Sequence, residues 1–377
     1  MKVLFDCTYL RNRHTGVDVT FLSLLSSLLY IDPVNHYIVL TDHRYDTKAL
    51  KQKLKQYPNL EIRRIWCYYP LHVLVTALLM PIYIALKGIN VYHNPYFFGP
   101  FFKLSRFKSV ITVHDLYHKT IPDKMNGLHN ILLNTFGDKA IKKANKIIVI
   151  SSQTKSDVIK YYKIPESKIA LIYQAIDSSI NLHAVDRDSL KYLSKLDLGG
   201  KDYIFSVGKI LPSKGIDDLI RAYNLFLSNN PQSNIKLVFA GISDTAYYDE
   251  VKLLILRLKI PPNKIIFTGY IEQSELITLY SNAKIYVLPS YFEGFGLTAL
   301  EAMKFNCPVI VRNASSLPEI VGDAALLFND IYELSSQIEL LLVNQLMVSD
   351  YISKGIRQLS KFSNEKKAQE TLAIYKD

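Results

Sequence analysis

The sequence predicts an α/β protein of two domains, each a parallel sheet with helices on both faces, and three observations carry that reading. Short apolar runs of strand length alternate with helix-compatible segments, the pattern of parallel strands joined by crossover helices. The series stops and restarts near mid-chain. With 377 residues and 49% hydrophobic content, the chain can fill two ordinary cores, and a disordered chain is excluded.

In order, the first series is Lys2–Phe5, His36–Leu40, Glu61–Trp66, Asn90–His93, Ser109–Val113 and Lys146–Ile150. The second is Tyr203–Val207, Lys236–Ala240, Lys264–Phe267, Lys284–Leu288 and Pro308–Val311, with helices expected over Asp217–Leu227 and Ser274–Ser281. The stretch Asp177–Lys201 is polar, lacks a clear period and ends in Gly199-Gly200. The expected organisation is therefore an N-terminal domain over 1–176, a linker over 177–201, a C-terminal domain over 202–360 and a closing helix over 361–377. Ligands of such sheets bind beyond the carboxyl ends of the strands.

The most informative segment is Ser290-Tyr291-Phe292-Glu293-Gly294-Phe295-Gly296-Leu297-Thr298-Ala299-Leu300-Glu301-Ala302. It sets Glu293 at a strand end and Glu301 within the following helix. Gly294 and Gly296 would let the backbone approach a ligand closely, and the free N–H groups near Leu297 and Thr298 attract anionic oxygens. A diphosphate would fit there with a carboxylate on either side. Solvated glutamates on an ordinary strand–loop–helix are the bland alternative.

This pattern resembles the Glu-x7-Glu signature of glycosyltransferase family 4, the retaining group 1 class. Cys307-Pro308-Val309-Ile310-Val311 and Leu317-Pro318-Glu319-Ile320-Val321-Gly322-Asp323-Ala324-Ala325 are similar to downstream family stretches and occur in the same order. The resemblance implies the GT-B fold: two Rossmann-like domains facing across a cleft, with the helix after Ser363 returning to the N-terminal domain. It implies a hexosyltransferase moving sugar from a UDP- or GDP-linked donor to a hydroxyl of a glycan or lipid-linked acceptor, in bacterial-type surface polysaccharide synthesis. Nucleotide-sugar epimerase, sugar-phosphate synthase and inactive glycan-binding scaffold are the alternatives on the same fold.

Lys209 and Lys214 follow the strand Tyr203–Val207 on a glycine-bracketed loop, and two cations five apart can converge on one diphosphate. The family usually has Arg at the position of Lys209, so bidentate contact is lost there. With Glu293 and His114 these lysines form the expected catalytic set. The resemblance assigns Glu301, Gly294, Phe295, Gly296, Leu297 and Thr298 to donor binding, with Gly16 near the diphosphate and Tyr270 and Ile271 flanking the base. Asp115, His93, Arg11 and Arg13 are assigned to the acceptor side. Relatives follow the Gly16 turn with Gly-Arg-Tyr, where this chain has Asp18-Val19-Thr20, and many have Trp at the position of Asn364.

No GxGxxG fingerprint, P-loop or HExxH motif is present, so the dehydrogenase, kinase and zinc-protease readings lose their main support. No DxD-like carboxylate pair is evident either, so no metal and no cofactor beyond the donor substrate is expected. Cys7, Cys67 and Cys307 are widely spaced structural thiols suited to a reducing compartment. Asp6 stops the first apolar run too early for a secretory signal, and a cytoplasmic protein is expected.

The net charge of +11 is uneven: residues 1–188 hold 25 Lys+Arg against 14 Asp+Glu, and the remainder balances. Nothing resembles a nucleic-acid-binding motif, so no nucleic-acid partner is expected. Ile65–Leu86 runs 22 residues without Asp, Glu, Lys or Arg, long enough to span a bilayer on hydropathy alone. Pro70, His72 and Pro81 interrupt it, and the fold needs a crossover helix there. Two readings stay open: a fully buried helix, and peripheral docking on anionic lipid at the inner face of the membrane.

Overall fold

The computed structural model describes residues 1–8, 16–45, 52, 54–66, 71–120, 131–176, 187–242 and 246–377. The chain divides into two compact units, Met1–Asp177 with Phe362–Asp377, and Ser178–Lys361.

In the first unit β1 (Lys2–Cys7), β2 (His36–Asp42), β3 (Leu60–Ile65), β4 (Val91–Asn94), β5 (Lys108–Val113), β6 (Lys146–Val149) and β7 (Ile169–Leu171) form one sheet. Their order is β3-β2-β1-β4-β5-β6-β7 and every pairing is parallel. In the second unit β8 (Tyr203–Val207), β9 (Lys236–Ala240), β10 (Ile265–Gly269), β11 (Ile285–Leu288), β12 (Val309–Arg312) and β13 (Leu326–Phe328) run β10-β9-β8-β11-β12-β13, again parallel. Each order reverses once, between β1 and β4 and between β8 and β11. Such reversals open a crevice at the carboxyl edge of a doubly wound sheet.

β7 and β13 are absent from the expected strand series. Each is a three-residue edge strand, too short to show a period, and its place is set by pairing with β6 or β12. The stretch expected to be a linker also needs correction, because a helix occupies Arg187–Lys195. Leu193 is buried at 5% exposure and Leu198 at 1%, so the segment has an apolar side despite its polar composition.

The helix Asn364–Lys376 starts at Ser363, whose hydroxyl accepts from Lys366 N at 3.1 Å. Its Ala368, Leu372 and Tyr375 pack into the core with Val3, Phe5 and Leu25. Asn364, the departure from the family pattern, is used structurally: its amide donates to Ile176 O at 2.8 Å and its oxygen accepts from Ser23 Oγ at 2.6 Å.

Ile65–Leu86 contributes the end of β3 and then a helical segment in three pieces: Leu71–Leu74, a π-helical turn Val75–Leu79, and Met80–Lys87. Among the described residues no helix is long and apolar enough to cross a membrane.

Candidate active site

In the second unit the candidate charges leave the two strands that flank the reversal. After β8 the chain passes Gly208 and Lys209 to a 3-10 turn, Pro212–Lys214, and Gly215 at φ 61° leads into the helix Ile216–Asn229. A Cβ on Gly215 would lie 2.2 Å from the Pro289 carbonyl oxygen, so glycine is required for this loop to meet the end of β11. Tyr291 N donates to Ser213 O at 2.9 Å and ties the two loops together.

Lys214 Nζ lies 2.7 Å from Glu293 Oε1, with the side chains 29% and 18% exposed. Ser290 Oγ donates to the same carboxylate oxygen at 2.8 Å. The backbone of Glu293 is held separately, its carbonyl accepting from Ser315 Oγ at 2.7 Å and Ser316 Oγ at 2.9 Å. Lys209 is exposed, and with Lys214, Gly208, Pro289 and Ser290 it lines a single crevice. Both lysines therefore border the same opening.

Arg312 supports this arrangement from β12. Its Nη2 donates to Asp218 Oδ2 at 2.5 Å, its Nε donates to Pro289 O at 2.8 Å, and its guanidinium lies 3.9 Å from the centre of the Tyr291 ring. Glu301 sits in the helix Leu297–Lys304, where the buried Tyr280 hydroxyl donates to its Oε2 at 3.0 Å. No side chain caps this helix at Gly296, so the first N–H groups, at Leu297 and Thr298, face outward from the helix end. Tyr270 and Ile271 follow β10, two strands from β8.

In the first unit His114 follows β5, and its Nε2 donates to Pro95 O at 3.0 Å. It borders a small cavity with Thr112, Gln174 and Lys367. Lys367 Nζ, brought by the C-terminal helix, donates to Gln174 Oε1 at 2.5 Å and Thr20 O at 2.9 Å. Burial lowers the Lys367 ammonium to about 7. Burial also lowers His114 to about 4, opposed by the Pro95 carbonyl and assisted by the Lys367 charge. Asp115 Oδ1 accepts from Tyr117 N at 2.9 Å and starts the short helix Tyr117–Thr120. Gly16 opens the helix Gly16–Ile31, and a Cβ there would meet nothing within 4 Å. Arg11 and Arg13 lie outside the described residues.

The family model described as Glycosyl transferases group 1 matches residues 191–358, and that described as Glycosyltransferase Family 4 matches residues 35–180. The chain belongs to the group 1 glycosyltransferases of family 4. An Escherichia coli O-antigen chain mannosyltransferase B is 29% identical over 293 residues, 76% of this chain and 74% of the relative. A serotype-specific mannosyltransferase WbdA of the same organism is 27% identical over 261 residues. That match covers 68% of this chain and 32% of the longer relative, so the chain spans about a third of it. The fold is GT-B. Anabaena HepE, solved in complex with UDP and glucose, superposes with a TM-score of 0.75 at 18% identity over the whole of both chains. WaaG, a glycosyltransferase involved in lipopolysaccharide biosynthesis, gives 0.72 at 13% identity, covering 100% of this chain and 99% of that one.

In this glycosyltransferase three of the expected site residues also have a role within the fold. His93 is fully enclosed, with Nδ1 2.5 Å from Tyr375 OH and Nε2 2.8 Å from Thr112 Oγ1, and joins β4 to β5 and the C-terminal helix. The Phe295 side chain is buried at 4% exposure, leaving only its backbone near the loop surface. Gly296 is demanded by the fold, since it takes φ 101° and a Cβ would lie 2.7 Å from Leu317 Cδ2. Gly294, between Glu293 and Phe295, is half-buried.

Sequence reasoning also passed over Ser290, Ser315, Ser316 and Tyr280, which orient the two glutamates. Their only signal is hydroxyl-bearing residues at a strand end, in a loop after β12 and in a helix beside the motif. Among the described residues no group of three or more His, Cys, Asp or Glu is placed to hold a metal. The site offers ammonium groups and helix N–H groups to an anion, and carboxylates to hydroxyl groups.

Proposed function

We propose that this glycosyltransferase moves a hexose, with retention of configuration and without a metal, from a nucleoside-diphosphate donor to a hydroxyl of a glycan or lipid-linked acceptor in surface polysaccharide synthesis. The observation that carries the proposal is Lys209 and Lys214 lining one crevice, with Lys214 held against Glu293, where the second sheet reverses order. The names of the mannosyltransferase relatives support mannose as the sugar.

In this reading the bond between the anomeric carbon and the β-phosphate oxygen breaks and its electron pair stays on that oxygen. The two ammonium groups and the N–H groups of Leu297 and Thr298 stabilise the charge that grows there. The acceptor oxygen bonds the anomeric carbon on the same face and its proton passes to the departing phosphate. Glu293, oriented by Lys214 and Ser290, receives donor hydroxyls, and Glu301, oriented by Tyr280, receives the ribose hydroxyls. Gly16 needs glycine for neither φ nor space within the chain, which is consistent with close approach of a ligand. His114, with Nε2 committed to Pro95, keeps its other ring edge for a sugar hydroxyl.

The test presents GDP- and UDP-linked hexoses with polyprenyl-linked and free glycan acceptors, in excess EDTA, and reads the product linkage by NMR. An α-linked donor is expected to give an α-linked product. A β-linked product, a loss of activity in chelator restored by Mg²⁺, or release of an epimerised sugar without acceptor would contradict the proposal.

A further inference from the structure

The helical segment from Leu71 to Lys87 is apolar on both its inward and outward sides. Val73, Ala77, Met80 and Ile84 are buried together with two polar residues, His72 and Thr76, and Thr76 Oγ1 donates to Asp6 Oδ2 at 3.0 Å. The outward residues are Leu71, Leu74, Leu78, Leu79, Ile82 and Leu86, which are between 41% and 79% exposed. They recur at the spacing of one helical face, and the π-helical turn Val75–Leu79 turns both Leu78 and Leu79 to it. A surface helix of a soluble domain ordinarily shows water the opposite pattern, and a contiguous apolar face of this length marks a contact site.

The surroundings of this face are basic. Phe101 N donates to Ala77 O at 3.0 Å, which fastens the loop after β4 to the middle of the helix. That loop exposes Phe102 and Leu104 beside exposed Lys103 and Arg106. The helix Asp138–Lys143 adds two more cations, since Lys143 Nζ donates to Phe101 O at 2.7 Å and Lys139 Nζ stands 5.4 Å from the centre of the Phe101 ring. No Asp or Glu occurs between Glu61 and Asp115. Trp66, five residues before Leu71, is 78% exposed, as suits a side chain at a lipid–water boundary.

We infer that this face is a docking surface for an anionic lipid bilayer, the leucines entering the headgroup boundary and the lysines and arginine meeting lipid phosphates. The charge pattern selects this occupant over a second copy of the chain. A symmetric dimer through this face would set Lys103, Arg106, Lys139 and Lys143 against their own copies, with no carboxylate between Glu61 and Asp115 to pair them and with Asp138, on the helix that carries Lys139 and Lys143, already 2.8 Å from Lys119 Nζ. The inference is independent of the reaction proposed above.

The test is flotation of the full chain with phosphatidylcholine vesicles, with and without phosphatidylglycerol, at low and high salt. Binding is expected to the anionic vesicles at low salt and to fall with added salt. The Lys139→Ala/Lys143→Ala variant should bind the anionic vesicles about 30-fold more weakly. The Leu78→Asp/Leu79→Asp variant should lose binding while its melting temperature is unchanged, because both side chains already face solvent. Three results would overturn the inference: no binding of the wild type to anionic vesicles at low salt, binding unaltered in both variants, or a wild-type dimer in sedimentation that the leucine variant dissociates.

Discussion

The two sheets have the same strand order around their reversals, yet they treat polar side chains at their carboxyl ends in opposite ways. In the second unit Lys214 and Glu293 form an ion pair that water still reaches. In the first, His93 and Lys367 are enclosed and burial drives both toward their neutral forms, to about 3 and about 7. A charge that keeps contact with water can exchange its partner for a ligand. An enclosed imidazole or amine instead serves as a fixed hydrogen-bonding group. On the proposed reading the second unit offers its exposed cations to an anion, whereas the first uses its polar core to attach the C-terminal helix.

The largest expected effect comes from removing the charged member of that contrast. Lys214→Ala should lower turnover on the order of 10²–10³-fold, the loss typical of a pre-organised donor to a developing anion. The fold should persist, because the lost pair is partly exposed. Near-normal turnover of a folded variant would break the comparison.

A smaller effect is expected at Glu301. Tyr280→Phe removes the hydroxyl that orients this carboxylate, and loss of one such hydrogen bond should weaken donor binding about 5-fold with little change in kcat. Measurement of kcat and KM separately checks it: a fall in kcat at constant KM would mean that Glu301 does not bind the donor.

The first unit should respond to acid more than to ligand. His93 is lowered by burial first, then by the nearby His114 and Lys367 charges. Its folded value lies below its unfolded one, so the unfolded chain binds more protons between about pH 6.5 and pH 3. Stability is therefore lost as pH falls through that window, by up to about 1.4 kcal/mol per pH unit for a fully enclosed group. His114 keeps some exposure, which leaves the larger share to His93. Hydrogen exchange at pH 4.5 against pH 7, corrected for intrinsic rates, should show the helix Asn364–Lys376 opening more than the helix Ile216–Asn229. Equal opening would contradict the placement of acid sensitivity in the first unit.

How much of this was legible in the sequence follows from chain separation. Glu293, Glu301 and Lys214 could be found because each lies on one strand–loop–helix segment, where local pattern fixes position. The strands of β-branched residues were legible for the same reason, whereas β7 and β13 acquire strand conformation only by pairing with a longer neighbour. The partners that orient the site come from elsewhere: Tyr280 precedes Glu301 by 21 residues, Asp218 precedes Arg312 by 94, and Gln174 precedes Lys367 by 193. His93 looked like a site residue because it ends a strand. Packing against Thr112 of β5 and Tyr375 from the far end of the chain makes it a core residue.

The central claim, that the loops after β8 and β11 hold the donor's diphosphate, is tested most directly by calorimetric titration of the full chain. GDP, UDP and the corresponding nucleosides are compared between wild type and Lys209→Ala/Lys214→Ala. The account predicts that the preferred nucleoside diphosphate loses at least about 10-fold in affinity, the two charge-assisted contacts being gone, while its nucleoside binds as before. Unchanged diphosphate affinity, or an equal loss for the nucleoside, would contradict it.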